Sequence, residues 1–422
     1  MIENWWLPVA MIAVLSAHVA QFSITVLRWR THRSQCGEIL RQRQSQLSHS
    51  SQVARLTSQL GSTTSATAAI PWRILEVADV VQESADCRSF YLVDPYGQPL
   101  PDFRPGQYVM VRPAVAGAYQ ATRCYSLSSS PDARFWRITV KQQDASEAPT
   151  RFNTGGLSGW LHRTIGQGDC LFIGGPSGQF YLPAESTRDL VLIAAGVGIT
   201  PLASILRWSL EVTTERKVTL LYQAKDREHW PLGRIIHAWQ NDVESLQTYT
   251  FFSQADADEI ETLSSALPGQ FLAGKLDGFT AAKLADNPDA DFYMCGPDLW
   301  MEQTREQLVA SGIPPERIHW ESFGSHSAQP LSEPSDSKTH TIRFALSSAE
   351  TQWCDPDQSI WELAKANQIE LPSGCLSGVC GICRVKLSSG QVQYDRQIGV
   401  ELASGECLTC VARPTTDLVL EA

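Results

Sequence analysis

The sequence predicts a multidomain protein with an N-terminal transmembrane helix, an antiparallel β-barrel, an α/β domain with a parallel sheet, and a small α+β domain. Three observations predict this order. The stretch from Leu7 to Leu27 contains no Asp, Glu, Lys or Arg. Short alternating apolar runs then give way to continuous apolar runs separated by helix-length segments. A polar linker, residues 326–338, precedes a cysteine-rich end.

The composition limits the class of function. A chain of 422 residues is longer than a single hydrophobic core usually supports, which predicts several domains. The formal net charge of −11 argues against general binding of nucleic acid. The 11 cysteines are too unevenly placed for a disulfide framework, and their concentration near the C-terminus favours metal ligation in a reducing compartment.

The first predicted element is a membrane anchor, residues 1–33. A helix needs about 20 apolar residues to cross the hydrocarbon core of a bilayer, and Leu7–Leu27 meets that length. A buried core helix is the alternative; a cleaved signal peptide fits less well, because Glu3 is the first charged side chain. Six arginines against one acid follow between Arg28 and Arg55. This bias predicts a single-pass inner-membrane protein whose catalytic domains are cytoplasmic.

The rest of the chain divides into a linker and three folded units. Residues 34–70 are rich in Ser, Gln and Thr and predict a flexible linker. Runs such as "QYVMVRP" and "FWRITVKQ" in residues 71–184 predict an antiparallel barrel or sandwich. Continuous runs such as "DLVLIAAG" and "DFYMCGP" in residues 185–325 predict βαβ units with a parallel sheet. Residues 339–422 form the third unit.

The C-terminal unit contains a metal-binding pattern. "SGCLSGVCGIC" places Cys375, Cys380 and Cys383 at the C-x4-C-x2-C spacing of plant-type [2Fe-2S] clusters. Zinc is the alternative, although zinc sites usually consist of two separated ligand pairs. The fourth ligand must come from "GECLTCVARP", which offers Cys407 and Cys410. The apolar approach to Cys410 favours that residue.

Two segments of the first folded unit suit a flavin nucleotide. In "RCYSLSSSP", an arginine can pair with a phosphate, an aromatic ring can cover an isoalloxazine and a hydroxyl can bond to its N5 edge: Arg123, Tyr125 and Ser126. "GGLSGWLH" supplies donors for a pyrophosphate at a helix N-terminus: Gly156, Leu157 and Ser158. A turn followed by a surface helix is the alternative for the second segment.

The α/β unit contains two segments typical of nucleotide binding. "LVLIAAGVGITPLASIL" runs from a strand through a glycine turn into a helix, with the candidate residues Gly196, Gly198, Thr200 and Pro201. "FYMCGP" ends a later strand at the edge where parallel sheets bind ligands, with Cys295, Gly296 and Pro297. After the second strand, Lys225 and Arg227 suit a 2′-phosphate. Asp226 and Glu228 oppose it, which favours NADH and leaves NADPH open.

These motifs carry a family resemblance over roughly residues 71–422. "LPSGCLSGVCGICRVKLSSGQV" and "LTCVARP" resemble the ferredoxin domain of bacterial flavin and iron–sulfur reductases that serve oxygenases. "RPGQY", "RCYS", "ITVK" and "GGLSGWLH" resemble, in order, the flavin domain of the ferredoxin-reductase superfamily, especially the reductase part of flavohaemoglobins. The resemblance implies a β-grasp ferredoxin domain with Cys410 as fourth ligand, and a barrel that binds FAD, with a role for Tyr108. FMN is the alternative, because the branch similar to phthalate dioxygenase reductase uses it.

The resemblance also implies a catalytic set. The segment "ESFG" is similar to the family's terminal segment, which brings Glu321 and Phe323 near the flavin ring. Phe323 would cover the ring until nicotinamide displaces it, and a buried core aromatic is the alternative role. Ser126 and Cys295 complete the predicted catalytic set.

The predicted function is electron transfer. A nicotinamide nucleotide gives up two electrons as hydride, whereas a [2Fe-2S] cluster accepts one electron at a time. A flavin can link the two-electron donor to the one-electron acceptor. We expect a membrane-anchored NAD(P)H-dependent iron–sulfur flavoprotein that reduces a terminal oxygenase. An acidic C-terminal unit, with 10 acids against 6 Lys and Arg from Thr339 onward, suits a basic partner. An integral membrane di-iron desaturase or hydroxylase is favoured over a soluble Rieske oxygenase; a membrane-tethered redox sensor is the alternative of another class.

Overall fold

The computed structural model describes residues 71–113, 122–131, 133–142, 156–212, 216–240, 243–323, 339–356, 358–374, 376, 378, 380–394 and 398–422. The predicted membrane anchor and flexible linker, residues 1–70, lie outside these ranges. Within them, no helix is both long and apolar enough to cross a bilayer.

The first sheet is antiparallel and has six strands in the order β4-β3-β6-β1-β2-β5. An antiparallel bridge between Leu127 and Ile138 joins the end of β4 to β5, so the outer strands of the sheet meet. The apolar residues of its alternating strands, such as Leu75 and Val77, are fully buried. The elements are β1 (Trp72–Ser84), β2 (Cys87–Val93), β3 (Tyr108–Pro113), β4 (Arg123–Ser126), β5 (Trp136–Lys141), α1 (Gly156–Thr164) and β6 (Cys170–Ser177).

A short turn follows β2. The Asp94 carboxylate accepts hydrogen bonds from the backbone N–H groups of Tyr96 and Gln98, which is the side-chain turn that Asp commonly makes.

The second sheet is parallel, in the order β10-β9-β8-β7-β11-β12. Its strands are continuous apolar runs because helices cover both faces. The chain moves outward from β7 to β10 and then returns to place β11 on the other side of β7. The elements are β7 (Leu190–Ala195), α2 (Ile199–Val212), β8 (Val218–Ala224), α3 (Gly233–Trp239), β9 (Leu246–Phe252), α4 (Ala257–Ala266), β10 (Gln270–Ala273), α5 (Gly278–Ala285), β11 (Asp291–Gly296), α6 (Asp298–Ala310) and β12 (Ile318–Ser322), with single 3-10 turns at Gly196–Gly198 and Pro315–Arg317.

The reversal between β7 and β11 positions the nucleotide site. Ligands of such sheets bind outside the carboxyl ends of the strands at the point where the strand order reverses. Both predicted nucleotide segments fall there, because the Gly196–Gly198 turn follows β7 and Gly296 ends β11.

The C-terminal unit combines a mixed five-stranded sheet, β14-β13-β19-β15-β17, with a two-stranded sheet, β16-β18. One helix begins with a capping box, in which Ser359 and Glu362 bond to each other's backbone N–H groups. The helix buries Ile360 and Leu363 in the same core as Ile342 and Phe344. The elements are β13 (His340–Phe344), β14 (Ala349–Trp353), α7 (Ile360–Ala366), β15 (Arg384–Ser389), β16 (Val392–Tyr394), β17 (Glu406–Leu408), β18 (Ala412–Pro414) and β19 (Leu418–Leu420).

The three folded units therefore have the predicted sheet types. The first is antiparallel, the second is parallel and the third is a small sheet with a helix. Apart from residues Asp94–Gln98, all three belong to one compact unit of the chain.

Candidate functional site

A cleft of about 760 Å³ opens at the carboxyl ends of the parallel strands. The turn after β7 lines it through Gly196 and Gly198. A Cβ on Gly198 would lie 2.1 Å from the carbonyl oxygen of Cys295, so the turn can approach β11 only without a side chain. A Cβ on Gly196 would meet no atom within 4 Å. The turn thus offers bare backbone to a ligand, as a phosphate requires.

Thr200 and Pro201 lie in the first turn of α2 and are both buried. The Thr200 hydroxyl donates a hydrogen bond to the carbonyl oxygen of Val197 at 3.0 Å. Its hydroxyl therefore stabilises the glycine turn, and the ligand-facing groups of this segment are those of the turn itself.

Cys295, Gly296 and Pro297 end the neighbouring strand. Gly296 and Pro297 line the cleft, whereas Cys295 is completely buried behind them. Burial raises the pKa of the Cys295 thiol well above its usual value, so the sulfur stays protonated. Cys295 pairs with Ala194 of β7 on one side and with Glu321 of β12 on the other.

Glu321 and Phe323 lie at the end of the last strand of this sheet. Oε2 of Glu321 is buried and has no hydrogen-bond partner. Burial raises the pKa of this carboxyl group to about 8, so it is mostly protonated at neutral pH. Phe323 lines the cleft with 46% of its surface exposed, and it is therefore not part of a packed core.

The flavin-binding candidates lie on β3 and β4. Tyr108 pairs directly with Ser126 across the two strands, and both residues are buried. The Ser126 hydroxyl has no hydrogen-bond partner, which is costly for a buried polar atom and fits a ligand that accepts its hydrogen bond. Arg123 is exposed, and its Nη1 donates to the carbonyl oxygen of Thr122 at 2.8 Å. Tyr125 packs against the core of the barrel, and burial raises its pKa.

The predicted pyrophosphate segment forms the start of α1. Gly156 has a φ of +61° and no atom within 4 Å of an added Cβ, so its surroundings are open. Leu157 and Ser158 are buried, and the Leu157 side chain belongs to the barrel core. The first N–H groups of a helix have no partner within the helix, so backbone donors are present at this position.

The cysteine loop, the segment "SGCLSGVCGIC" that ends at Cys383, lies beside the predicted fourth ligand, Cys410. Sγ of Cys383 lies 3.0 Å from Sγ of Cys410, and both residues are buried. Cys407 lies instead in the core of the sheet, where it pairs with Val385, and burial raises its pKa to about 12. Of the two candidates in "GECLTCVARP", the described structure places Cys410 beside the loop.

The other two predicted ligands are placed differently. Cys380 is buried, and a Cβ on Gly374 would lie 2.7 Å from its sulfur. A glycine is needed here because the backbone passes so close to the sulfur. Cys375 lies outside the described residues. No three metal-ligating side chains come together among those described.

The cysteine loop lies against the flavin strand. Cys380 packs in one cluster with Tyr108 and Met110 of β3. Two residues after β6 ends, Nε2 of Gln179 donates a hydrogen bond to the carbonyl oxygen of Gly399 at 3.2 Å. A predicted cluster ligand and a predicted flavin residue therefore lie in the same buried cluster.

Several residues of the site were not predicted from the sequence. Met110 and Gln179 contact a segment more than 200 positions away, and no local signal indicates such a contact. Ser253 and Lys275, which line the cleft, do have a signal, because each follows a short apolar run that forms a parallel strand, β9 or β10.

Comparison with known proteins matches two regions of the chain. Residues 192–306 match the oxidoreductase NAD-binding domain, and residues 345–415 match the 2Fe-2S iron-sulfur cluster binding domain. A flavohemoprotein of Bacillus cereus is 33% identical over 254 residues, covering 60% of this chain and 61% of the relative. One from Rhizobium meliloti is 36% identical over 260 residues, covering 60% of each. The chain thus spans about three fifths of the length of these relatives.

Two solved structures are similar. The flavohem-like FAD/NAD binding domain of nitric oxide dioxygenase from Vibrio cholerae is 31% identical, with a TM-score of 0.51 over 60% of this chain and 98% of that one. Phthalate dioxygenase reductase, described as a modular structure for electron transfer from pyridine nucleotides to [2Fe-2S], is 24% identical, with a TM-score of 0.53 over 83% of this chain and 98% of that one. At that identity the second likeness concerns the fold.

These matches show an oxidoreductase NAD-binding domain and a 2Fe-2S iron-sulfur cluster binding domain in one chain. The chain belongs to the ferredoxin-reductase superfamily, in the group that has a C-terminal [2Fe-2S] ferredoxin domain. The predicted cofactor set of FAD, a [2Fe-2S] cluster and NAD(P)H is confirmed. The residues fit these groups: an unpartnered Ser126 hydroxyl, a bare glycine turn and a pair of adjacent thiols.

Proposed function

We propose that this protein is a membrane-anchored reductase that passes electrons from NAD(P)H through FAD and its [2Fe-2S] cluster to a terminal oxygenase. The favoured acceptor is an integral membrane di-iron desaturase or hydroxylase acting on lipid-, alkane- or sterol-like substrates. Cytoplasmic catalytic domains and a single inner-membrane span complete the proposal.

One observation carries the order of electron transfer. The cleft that suits the nucleotide is lined by Lys141 of β5, a strand of the flavin-binding unit, and Cys380 packs in one cluster with Tyr108 and Met110 of β3. Both the electron source and the cluster loop therefore border the flavin-binding unit. This arrangement supports a linear path through three groups held in one chain.

The residues of the chain have defined tasks in this proposal. When bound, FAD would supply the chemistry that converts a hydride from the nucleotide into single electrons for the cluster. The Ser126 hydroxyl would donate a hydrogen bond to the flavin, and the glycine turn would hold the pyrophosphate of the nucleotide. A protonated Glu321 keeps negative charge away from the place where hydride leaves. Phe323 can occupy the cleft mouth and exclude water until nicotinamide enters.

The sequence supports the membrane anchor. Leu7–Leu27 is apolar and uncharged, and arginines follow it, which orients the following domains towards the cytoplasm. The anchor would confine the reductase to the plane of the bilayer and raise its concentration near a membrane acceptor. This is the reason for favouring an integral membrane oxygenase over a soluble one.

Anaerobic reduction of the detergent-purified full chain tests the electron path. We expect NADH or NADPH to bleach the flavin absorbance, and a rhombic [2Fe-2S] EPR signal to follow. Bleaching without a cluster signal, in protein shown to contain iron, would contradict the order of transfer. Steady turnover with an artificial acceptor would exclude a sensor that needs no turnover.

Membrane attachment is tested by carbonate extraction of membranes from cells that express the full chain. We expect the protein to stay in the pellet. The paired substitutions Leu15→Arg and Val19→Arg should release it, because each arginine costs roughly 2.5 kcal/mol or more at the bilayer centre. The matched pair Gln44→Arg and Gln46→Arg adds the same charge within the linker and should not release it. Release of the unaltered chain would refute the anchor.

The acceptor is tested by fractionating cells that lack this reductase. Purified full chain and nucleotide are added to the membrane fraction or to the soluble fraction, with a fatty acid or an alkane. Oxygen uptake that requires the membrane fraction and the lipid-type substrate supports the proposed acceptor. Uptake restored only by the soluble fraction supports a soluble oxygenase instead.

A further inference from the structure

The nucleotide cleft has a basic edge beyond the glycine turn. Lys225, Ser253 and Lys275 all line this edge. Each follows the carboxyl end of a parallel strand, since β8 ends at Ala224, β9 at Phe252 and β10 at Ala273. The three side chains thus come from one edge of the sheet, where ligands of parallel sheets bind.

The strand register places these residues close together. Ala224 pairs with Phe252, and Phe252 pairs with Ala273, so the three strands end level with one another. Neighbouring strands lie about 4.8 Å apart, which puts the ends of β8 and β10 roughly 10 Å from each other. Ser253 lies between them. Two long ammonium side chains with a hydroxyl in the middle suit a doubly charged oxyanion.

The acids nearest this edge are held by other groups of the chain, and Oδ2 of Asp226 lies 4.0 Å from Nζ of Lys225. Oδ1 of Asp226 accepts a hydrogen bond from the backbone N–H of His229 at 2.9 Å and lies 2.7 Å from its Nδ1. Neither Asp226 nor Glu228 lines the cleft. Asp277 does, but its carboxylate caps α5 by accepting from the N–H of Thr280. Asp298 lies beyond Gly296 and Pro297, on the β11 side of the cleft.

We propose that this basic edge binds the 2′-phosphate of NADPH and that the protein prefers NADPH to NADH. The inference rests on the proposed function, because it extends the same nucleotide site. With the pyrophosphate on the turn after β7, the adenosine ribose lies over the end of β8. An NAD site places an acid at that position to bind the 2′-hydroxyl, and here Lys225 lines the cleft instead.

The first test is anaerobic flavin reduction of the full chain by each nucleotide. We expect the second-order rate constant of flavin reduction by NADPH to exceed that by NADH at least tenfold. The double variant Lys225→Gln, Lys275→Gln should lower the ratio of the two values at least tenfold. Lys217→Gln is the matched control, because it removes an exposed lysine at the opposite end of β8 and should leave the ratio unchanged.

A second readout does not depend on turnover. By calorimetry, the oxidised full chain should bind 2′,5′-ADP at least tenfold more tightly than 5′-AMP, and the double variant should lose this difference. Equal binding of the two adenylates would refute the 2′-phosphate site. So would faster flavin reduction by NADH than by NADPH.

The two proposals fail differently. If NADH reduces the flavin but 2′,5′-ADP binds no better than 5′-AMP, the preference is refuted and the reductase function stands. If neither nucleotide reduces the flavin, the reductase function is refuted, and the adenylate comparison still decides whether the basic edge selects a 2′-phosphate.

Discussion

Two buried polar atoms, the hydroxyl of Ser126 and Oε2 of Glu321, lack partners at the places where a flavin and a nicotinamide are expected. A buried polar group without a partner destabilises the folded protein by about 1–3 kcal/mol. Such groups commonly mark positions that a ligand completes. The two residues therefore invite separate tests.

Replacing Ser126 by alanine removes its hydrogen bond to the flavin and should slow reduction of the flavin by NAD(P)H by roughly 10- to 100-fold. Each increase of about 1.4 kcal/mol in the activation free energy lowers a rate tenfold. Stopped-flow absorbance under anaerobic conditions measures this rate. Ser204→Ala is the matched control, because the hydroxyl of Ser204 is also buried without a partner but lies in α2. An equal loss of rate in both variants would mean that the effect is structural.

Glu321 should make stability depend on pH. Its pKa rises from 4.5 to about 8 on folding, so between these values the folded protein binds more protons than the unfolded chain. Stability supplied by the protonated form is complete at low pH and declines as the pH rises, by on the order of 1.4 kcal/mol per unit of pKa shift. Glu321→Gln stays neutral and should avoid this decline.

Thermal unfolding of the FAD-loaded protein between about pH 5 and pH 9 checks this prediction. The melting temperature of Glu321→Gln should rise relative to the unaltered protein up to about pH 8 and then level off. Glu316→Gln removes an exposed carboxylate nearby and should follow the unaltered protein. A constant difference at every pH would show that Glu321 does not titrate in this range.

At the scale of elements, Cys407 and Cys410 lie three positions apart in sequence but occupy different places in the structure. Cys410 adjoins Cys383, whereas Cys407 belongs to the sheet core. We expect Cys410→Ser to lose the visible absorbance and the iron of the [2Fe-2S] cluster while keeping flavin reduction. Cys407→Ala should retain both. Loss of iron only in the Cys407 variant would reverse the ligand assignment.

The glycine turn after β7 gives a second contrast. A side chain on Gly198 would strike the backbone of β11, whereas one on Gly196 would enter open space at a φ of +55°. Gly198→Ala should therefore destabilise the protein by about 1–3 kcal/mol and weaken NAD(P)H binding. Gly196→Ala should cost only about 1 kcal/mol from backbone strain. Chemical unfolding measures the stability of both variants, and nucleotide titration measures their affinity. Equal losses in the two variants would show that the close approach of the turn to β11 does not matter.

The elements also explain what the sequence could predict. Sheet types follow from local patterns: alternating runs for β3 and β5, and continuous runs for β7 and β11. The cysteine spacing and the glycine turns are equally local. The cluster that contains Cys380 and Tyr108 joins positions 272 residues apart, and the bond from Gln179 to Gly399 spans 220 residues. Side-chain packing between domains determines such contacts, and no periodicity within the chain encodes it.

The burial of individual polar groups could not be predicted from the sequence either. The segment "ESFG" predicts by resemblance that Glu321 belongs to the site. That its Oε2 atom is buried without a hydrogen-bond partner becomes evident only in the structure, where β12 pairs with β11. The direction of Asp226 is a similar case. Its charge favours NADH when only the sequence is considered, whereas in the structure its Oδ1 bonds to His229, its Oδ2 lies 4.0 Å from Nζ of Lys225, and the residue does not line the cleft.

At the scale of the whole molecule, the net charge of −11 should govern the encounter with an acceptor. Reduction of basic cytochrome c by the full chain and NAD(P)H should slow several-fold as salt rises from roughly 0.05 to 0.5 M, because ions screen the attraction. Ferricyanide, an anion, should be reduced faster at higher salt. The same salt dependence for both acceptors would indicate that charge does not steer the encounter.

The contact between Cys380 and the flavin strand has a kinetic consequence. Reductases that employ a separate ferredoxin need that carrier to collide with the flavoprotein, so their rate rises with the carrier's concentration. Here donor and carrier are covalently joined and in contact, and the internal transfer becomes a first-order event. Under the proposed function, dilution of the enzyme would slow only its meeting with the final acceptor, which would be the one encounter between proteins that still depends on concentration.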